Sequence, residues 1–260
     1  MADLSVNFYQ NKERVQNHYQ NLSQNYDDLW THSADFMQFL SKNVSVYLDL
    51  KSTDIFLDLG CGTGLFAKEI SNLIKFENPL VCADISADML TQLSDSRKYE
   101  CVVMDAIAFS ALPRSFDKIL VKEMIHHLEQ EQQKCLIKNL FDRLNINGQF
   151  LLILLPQKIE YPLFEAALLR HQKLQPDYKL LAAEFERVGF QTEVNFVPYP
   201  LSISKTKYLR MVENRYMSLL SSFSDREIEA GIKEIEHKYC DREILDFNDT
   251  FVFILGKKCG

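Results

Sequence analysis

The chain has 260 residues, of which 47% are hydrophobic, and this is enough for a folded domain with a sizeable core. Its formal net charge is −7, and no basic run could neutralise a row of phosphates, so we expect neither nucleic acid nor an anionic membrane as a partner. No apolar stretch approaches the roughly 20 residues of a membrane span. Because the first nine residues also lack the features of a secretory signal, we expect a cytoplasmic protein.

The six cysteines predict free thiols. They form no CxxC pair, which zinc sites and redox-active disulfides commonly use. Two of them, Cys82 and Cys101, lie in apolar runs, where cysteine behaves as a small hydrophobic residue. We therefore expect no metal site.

The amino-terminal part of the chain predicts helices. Aromatic and aliphatic residues recur every three or four positions between residues 9 and 30, and again over residues 34–48. The pattern then changes to short apolar runs alternating with helical stretches, which is typical of a parallel sheet with crossover helices. The predicted strands are residues 55–59, 80–83, 101–104, 116–121 and 149–155, and the predicted helices are residues 65–74, 87–93 and 130–144.

After Pro156 the sequence predicts further helices and two last strands. The helices cover residues 161–174 and 178–187, and the strands cover residues 190–198 and 250–255. Between the strands lies an amphipathic block, residues 205–239. Within it, Ser224 and Glu227 form a capping-box signal that predicts two helices instead of one.

A glycine-rich turn follows the first predicted strand, in the sequence Asp58-Leu59-Gly60-Cys61-Gly62-Thr63-Gly64. Glycines allow the backbone to approach a ligand closely and to adopt positive φ. The third glycine comes one residue too early for the dinucleotide-binding fingerprint. Asp58 would also repel a pyrophosphate, whereas it suits an ammonium group.

The segment DLGCGTG resembles motif I of the class I S-adenosylmethionine-dependent methyltransferases, in their small-molecule type. The resemblance implies S-adenosyl-L-methionine as cofactor, with Asp58 and the glycines around its methionine part. It also implies that Asp84 accepts both ribose hydroxyls, that Met89 lies against adenine and that Asp105 accepts from the adenine amino group. Taken singly, Asp84 could instead cap a helix, and Asp105 could be a turn residue. The implied cofactor-binding set is Tyr19, Tyr26, Asp58, Gly60, Cys61, Gly62, Gly64, Asp84, Ile85, Met89, Asp105, Ala106 and Lys122.

Two tyrosines of that set, Tyr19 and Tyr26, lie in the amino-terminal helical stretch. They resemble the tyrosine-rich entry helices of small-molecule methyltransferases, where an aromatic ring faces the sulfonium. Their alternative role is to pack a helix on the core.

The segment Val121-Lys122-Glu123-Met124-Ile125-His126-His127-Leu128 resembles the family segment that follows strand four and faces the site of methyl delivery. We expect His126 or Glu123 as the general base. Methyl transfer from a sulfonium depends chiefly on positioning and on removing water, so a base is needed only for a weakly acidic acceptor. The alternative is that one histidine packs beneath the loop. Lys122 would then contact adenosine through its backbone.

Residues 205–216 resemble the lid of family members that methylate small organic molecules. The expected substrate-binding residues are His127, Tyr199, Arg210 and Arg215, with an arginine on a substrate carboxylate. The alternative is that these arginines lie on a solvated helix face.

The fold that follows is α/β, with a Rossmann-like, doubly wound, seven-stranded, mostly parallel sheet, N-terminal helices and a helical lid insert. We expect one methyltransferase domain over residues 1–260. Its expected parts are a helical cap (1–50), a cofactor-binding core (51–156), helical additions forming the acceptor lid (157–189 and 201–247) and the last strands (190–200 and 248–256).

The expected function is methyl transfer to a small organic acceptor, at an oxygen or a carboxylate, by a monomer or homodimer. An amine or carbon acceptor stays open, as does a non-catalytic protein that binds S-adenosylmethionine as a regulator or partner. The segment after the fourth strand contains no Asn/Asp-Pro-Pro-Tyr element, which argues against amino groups of nucleobases or glutamine as acceptors.

Overall fold

The computed structural model describes residues 30–260. A seven-stranded sheet organises them, so the predicted α/β class is confirmed. The predicted helix before residue 30 lies outside the described residues. The strands are β1 (Phe56–Leu59), β2 (Leu80–Asp84), β3 (Tyr99–Val103), β4 (Phe116–Lys122), β5 (Leu144–Leu154), β6 (Phe190–Ser204) and β7 (Ile244–Lys258).

The helices follow the strands in alternation up to β5, as predicted. Short 3-10 turns add Trp30–His32, Ile125–His127 and Ser218–Ser222. The α-helices are α1 (Ala34–Tyr47), α2 (Leu65–Leu73), α3 (Ala87–Leu90), α4 (Ala106–Ser110), α5 (Gln130–Arg143), α6 (Glu165–Leu174), α7 (Tyr178–Val188), α8 (Lys205–Glu213) and α9 (Asp225–Lys238).

The strand order is β3-β2-β1-β4-β5-β7-β6. Strands β1 to β5 pair in parallel, and β7 runs antiparallel to β5. The order reverses between β1 and β4, and open α/β sheets bind ligands beside the carboxyl ends of the strands at such a switch point. The topology therefore places the ends of β1, β2 and β4 at the expected ligand edge.

The apolar core explains why these short runs form the centre of the sheet. Alternate residues of the central strands, among them Leu57, Ile119 and Leu152, belong to one buried cluster with residues of α5 and α7. On the other face, the ring of Tyr47 in α1 lies 5.0 Å from that of Phe253 in β7. Because both faces are covered, residues 119–121 of β4 and residues 150–154 of β5 are apolar without alternation.

Several elements differ from the sequence prediction. The helix predicted at residues 87–93 ends at Leu90, and the unpredicted α4 begins directly after Asp105. Strand β6 continues past Pro198 and Pro200 to Ser204, because it is an edge strand, where proline is tolerated. Strand β7 also begins earlier than predicted, at Ile244.

The chain divides into two compact units. Among the described residues, the first comprises residues 30–36 together with Lys158–Leu174 and Tyr199–Asp249. The second comprises Met37–Gln157, Gln175–Pro198 and Thr250–Gly260, and it contains the glycine-rich turn. Over residues 30–260, no helix combines the length and apolar character needed to cross a membrane.

The first unit is built around aromatic side chains and one buried carboxylate. Asp249 is 0% exposed and accepts hydrogen bonds from Trp30 Nε1 at 2.8 Å and from Tyr161 Oη at 2.5 Å. Nearby, the hydroxyls of Tyr208 and Tyr216 lie 3.0 Å apart. The indole ring of Trp30 lies between 5.2 and 5.8 Å from the rings of Tyr161, Tyr216 and Phe247.

The capping box predicted in the first unit is confirmed. Ser224 Oγ accepts from the backbone N–H of Glu227, and Glu227 Oε2 accepts from the backbone N–H of Ser224 at 2.7 Å. These two bonds satisfy donors that a helix start leaves without an intrahelical partner. The amphipathic block therefore divides into α8 and α9 as the sequence predicted.

Candidate cofactor and methyl-transfer site

The glycine turn has a backbone conformation that requires glycine. Gly60, Gly62 and Gly64 have φ values of 76°, 56° and 71°. The turn is fastened to the neighbouring strand, because Gly60 N donates to Ala83 O at 2.7 Å. Helix α2 begins directly after it, at Leu65. Left-handed conformations are strained for residues with a Cβ atom.

Each glycine of the turn also faces a different apolar side chain. A Cβ atom on Gly60 would lie 2.7 Å from Met124 Cγ, and one on Gly64 would lie 2.4 Å from Leu93 Cδ1. A Cβ atom on Gly62 would meet only Met89 Sδ, at 3.7 Å. The turn thus presents bare backbone at the carboxyl edge of the sheet.

Asp58 is the buried carboxylate beneath this turn. It is 3% exposed, and its Oδ2 atom has no hydrogen-bond partner among residues 30–260. Burial raises the pKa of Asp58 to about 7, an effect that the Lys122 ammonium opposes and the Asp84 carboxylate increases. A buried carboxylate oxygen without a donor is costly, and a ligand that brings a donor or a positive charge removes that cost.

Lys122 ends β4 on the same face of the sheet. Its Nζ atom lies 4.5 Å from the centre of the Phe66 ring and 5.9 Å from that of Phe251. Aromatic faces stabilise a cation that is partly removed from water. The structure therefore places the Lys122 side chain, and not only its backbone, at the ligand edge.

Asp84 links β2 to the glycine turn. Its Oδ2 accepts from Gly62 N, and its Oδ1 accepts from Ser86 N, each at 2.9 Å. The residue that caps α3 is Ser86, whose hydroxyl accepts from Met89 N at 3.4 Å. Since each carboxylate oxygen has a second lone pair, both Asp84 oxygens can still accept from a diol. Ile85, the next residue, is exposed.

Asp105 is a helix cap. Its Oδ1 atom accepts from Ile107 N at 3.0 Å and from Ala108 N at 3.3 Å, so it begins α4. Sequence reasoning considered a turn role for this residue and missed the helix. Both bonds use one oxygen, and the residue is exposed, as expected of a group that can also contact a ligand.

Cys61 is inert in this setting. A hydrogen bond with Cys82 and burial raise the pKa of its thiol, so the thiol stays protonated. Its Sγ atom lies 3.7 Å from Gly62 O. The side chain packs beneath the turn, and its part in cofactor binding stays a prediction.

The predicted catalytic residues lie in the segment after β4. Glu123 has a φ of 52°, and its Oε1 accepts from Leu155 N at 2.8 Å. His126 is half-buried and His127 is exposed, with ring centres 4.1 Å apart. Partial loss of water around the ring, together with the adjacent His126, lowers the pKa of His127.

The other predicted substrate residues belong to the first unit. Arg215 donates to Asp225 Oδ1 at 2.5 Å and to Phe223 O at 3.4 Å, so it braces the start of α9. Arg210 is exposed on α8, and the ring of Tyr199 lies edge-on to that of Phe36 at 5.1 Å. The two predicted tyrosines of the cofactor site, Tyr19 and Tyr26, lie outside the described residues.

Sequence reasoning missed several side chains of the site. Met124 and Leu93 lie against the glycine turn, and the rings of Phe66 and Phe251 lie beside Lys122 Nζ. Met124 stands in the segment that resembles the family, and this was the available signal. Nothing local to the others indicates the contact, because it depends on how the strands and helices pack.

Comparison with known proteins identifies the core of the chain. Residues 56–148 match the family model described as a methyltransferase domain. A curated relative, the S-adenosyl-L-methionine-dependent methyl transferase PigF of a Serratia species, is 25% identical over 142 residues. These residues are 50% of this chain and 40% of the relative, so the match spans about two fifths of that protein's length.

Solved structures show the same fold at low sequence identity. A putative methyltransferase from an antibiotic biosynthesis pathway of Anabaena variabilis has a TM-score of 0.63 and 14% identity, over 84% of this chain and 96% of its own. Phosphoethanolamine N-methyltransferase 2 of Haemonchus contortus has a TM-score of 0.55 and 16% identity, over 85% of this chain and 52% of its own.

The family resemblance of the motif DLGCGTG is therefore confirmed. Residues 56–148 match a methyltransferase domain, the curated relative is an S-adenosyl-L-methionine-dependent methyl transferase, and the fold agrees with the solved structures.

Proposed function

We propose that the chain is an enzyme that transfers a methyl group from S-adenosyl-L-methionine to a small organic acceptor. The observation that carries this proposal is the buried Asp58 Oδ2 atom, which has no partner in the described chain, beneath a turn of three glycines with positive φ. The family match of residues 56–148 supports it.

The residues at this edge suit the chemical groups of that cofactor. Asp58 suits the ammonium of the methionine part, and the bare backbone of Gly60 and Gly62 lets that part lie close. Asp84 keeps lone pairs on both oxygens for a ribose diol, and Asp105 has an oxygen to spare for an adenine amino group. Met89, Ile85 and Ala106 follow these aspartates in sequence and suit the flanks of the adenine ring.

When bound, S-adenosyl-L-methionine supplies a methyl group on a positively charged sulfur. The chain's own part is to hold an acceptor in line with that group and to exclude water. Lys122 favours the ionised form of Asp58, which is the form that holds an ammonium. His126 is the residue best placed to accept a proton, because it is half-buried beside the same edge.

For the acceptor, we propose an oxygen nucleophile, either a hydroxyl or a carboxylate. The Lys122 ammonium at this edge raises the cost of bringing in a protonated amine, because like charges repel. His127, Tyr199, Arg210 and Arg215 remain the proposed acceptor contacts. The named Haemonchus neighbour is an N-methyltransferase, so an amine acceptor is the alternative that the acceptor screen must test.

We further propose one domain over residues 1–260, a monomer or homodimer without a nucleic-acid partner, and a cytoplasmic location. The second candidate function is a non-catalytic protein that binds the cofactor as a regulator. The observation that favours it is that the Glu123 carboxylate already accepts from Leu155 N. Of the two predicted bases, this leaves His126 as the proposed base.

Calorimetry with S-adenosylhomocysteine tests the shared part of both functions. We expect wild-type protein to bind and Asp58→Asn to bind about 100-fold more weakly, since a hydrogen bond to a charged group contributes about 1.5–3 kcal/mol. The control is Glu184→Gln, which changes another buried carboxylate, one that pairs with Arg187 on α7, and should keep wild-type affinity. Absence of binding by wild-type protein would contradict both functions.

A screen with radiolabelled methyl groups then separates enzyme from regulator. The panel pairs phenols and carboxylic acids with amines of similar shape. Label transfer to an oxygen acceptor is the expected result, and transfer to no acceptor favours the regulator. For the base, His126→Ala should lower turnover with a weakly acidic hydroxyl, while unchanged turnover rules His126 out.

A further inference from the structure

Glu123 has an unusual backbone conformation at the end of β4. Its φ of 52° lies in the left-handed region, which residues other than glycine, asparagine and aspartate seldom adopt. Such a conformation persists only where the surrounding structure holds it, and it is enriched at functional sites. The contacts that hold Glu123 in this conformation therefore indicate its role.

Two hydrogen bonds hold Glu123 to the end of β5 and to the residue that follows it. Its backbone N–H donates to Ile153 O at 2.9 Å, and its carboxylate Oε1 accepts from Leu155 N at 2.8 Å. Lys122, the preceding residue, pairs in register with Ile153. Glu123 thus extends the contact between β4 and β5 beyond the end of the regular strand, using its side chain where the backbone turns away.

This turn brings the next residue onto the glycine turn. The side chain of Met124 lies against Gly60, where a Cβ atom would be 2.7 Å from Met124 Cγ and 2.9 Å from Met124 Cβ. On its other side, Gly60 is bonded to Ala83 O. Gly60 is therefore held between a strand carbonyl and the Met124 side chain, and Glu123 is the residue that directly precedes Met124.

We propose that Glu123 is a positioning residue: it ties the end of β4 to β5, seats Met124 on Gly60, and so keeps the glycine turn in the conformation that binds the cofactor. The inference rests on the proposed function for its ligand. It assigns the Glu123 carboxylate a different task from proton transfer, namely to accept one backbone hydrogen bond.

The acceptor role can be separated from the base role by substitution. The side-chain carbonyl of Gln can accept from Leu155 N, whereas Ala cannot. Asn147→Ala serves as the matched control, because Asn147 also has positive φ, at 64°, and lies exposed in β5 of the same unit.

The experiment measures S-adenosylhomocysteine affinity by calorimetry and, without ligand, amide hydrogen exchange at Leu155 and residues 60–64. We expect Glu123→Ala to bind about tenfold more weakly, because the lost hydrogen bond holds the turn and does not itself contact the ligand. In this variant, amide hydrogen exchange should be faster at Leu155 and at residues 60–64. Glu123→Gln should stay close to wild type, and Asn147→Ala should change neither measurement.

Three results would overturn the proposal. The first is wild-type affinity and amide exchange in Glu123→Ala, and the second is a loss of affinity in Glu123→Gln as large as in Glu123→Ala. The third is normal binding by Glu123→Gln with loss of methyl transfer. The last is the result a general base predicts. If wild-type protein fails to bind S-adenosylhomocysteine, the proposed function fails. Exchange at residues 60–64 in Glu123→Ala, which needs no ligand, still decides whether Glu123 holds the turn.

Discussion

Two buried carboxylates show how differently the two units use the same chemical group. In the first unit, Asp249 is fully buried and accepts from both the Trp30 indole and the Tyr161 hydroxyl. In the second unit, Asp58 is 3% exposed, and its Oδ2 atom has no partner in residues 30–260. One carboxylate is paired with donors from distant parts of its unit, whereas the other has an oxygen without a hydrogen-bond partner among residues 30–260.

The difference separates a structural group from a candidate ligand group. Buried polar atoms are nearly always hydrogen-bonded, and an exception needs a specific explanation. At Asp249 the donors explain the burial. At Asp58 the explanation that we propose is a ligand that lies against the bare backbone of the neighbouring glycine turn and supplies the missing donor.

The largest expected effect is loss of stability in Asp249→Ala. The change leaves the Trp30 N–H and the Tyr161 hydroxyl buried without an acceptor, which should cost about 4 kcal/mol of unfolding free energy. Urea denaturation measures it. Asp246→Ala is the control, since this residue of the same strand is exposed and accepts from the Ser202 hydroxyl. Equal losses in the two variants would contradict a special role for the buried network.

Asp58→Asn should instead raise the free energy of unfolding, and the size of this effect should depend on pH. The pKa of Asp58 is about 7 in the folded protein, against an ordinary 3.8, so the folded state holds a proton that the unfolded state releases. Stability contributed by this group is therefore lost as pH rises from about 4 to 7.

The measurement is urea denaturation of wild type and Asp58→Asn at pH 5 and pH 8. We expect the difference in unfolding free energy, variant minus wild type, to be about 2–3 kcal/mol larger at pH 8 than at pH 5, on the order of two pKa units of linkage. A constant difference between the proteins would show that Asp58 is already ionised at pH 5.

The glycines of the turn should differ among themselves. Gly62→Ala has room, since only Met89 Sδ lies near, and should cost about 1 kcal/mol for the left-handed backbone alone. Gly60→Ala adds a collision with Met124 and should cost about 2–3 kcal/mol. Thermal unfolding compares the two variants, and equal costs would mean that Met124 moves aside freely.

The smallest effect is expected at Asp105, whose cap and proposed ligand roles can be separated. Asp105→Ala should lose about 1 kcal/mol of stability through the lost helix cap, and Asp105→Ser should recover most of it. Affinity for S-adenosylhomocysteine should fall in both variants, because a serine hydroxyl does not replace the carboxylate. Recovery of affinity in Asp105→Ser would leave Asp105 as a cap alone.

Much of the core could be predicted because its signals are local. The run before Asp58, the three glycines and the helix from Leu65 follow one another within ten residues, and their conformations depend on adjacent backbone. The capping box of Ser224 and Glu227 is local in the same way. Boundaries failed where packing decided them: proline suggested an end to β6, but the edge position of the strand allowed it to continue.

The side chains around the turn could not be predicted, because they depend on strand register. That Glu123 bonds to Leu155 follows from the pairing of β4 with β5 across 32 positions of sequence. That Met124, and not its neighbours, rests on Gly60 follows from the same pairing together with the left-handed backbone of Glu123.

The sequence alone determined the class of the fold, the glycine turn with its aspartates, and the resemblance to methyltransferases, because each depends on short-range pattern and residue type. Only the tertiary structure decided which carboxylates are satisfied. Asp249 meets Trp30 across 219 positions, while Asp58 is buried without a donor to its Oδ2 atom in the described chain. The physical reason is that burial and hydrogen-bond partners belong to the packed chain, whereas φ preferences and capping signals belong to a few consecutive residues.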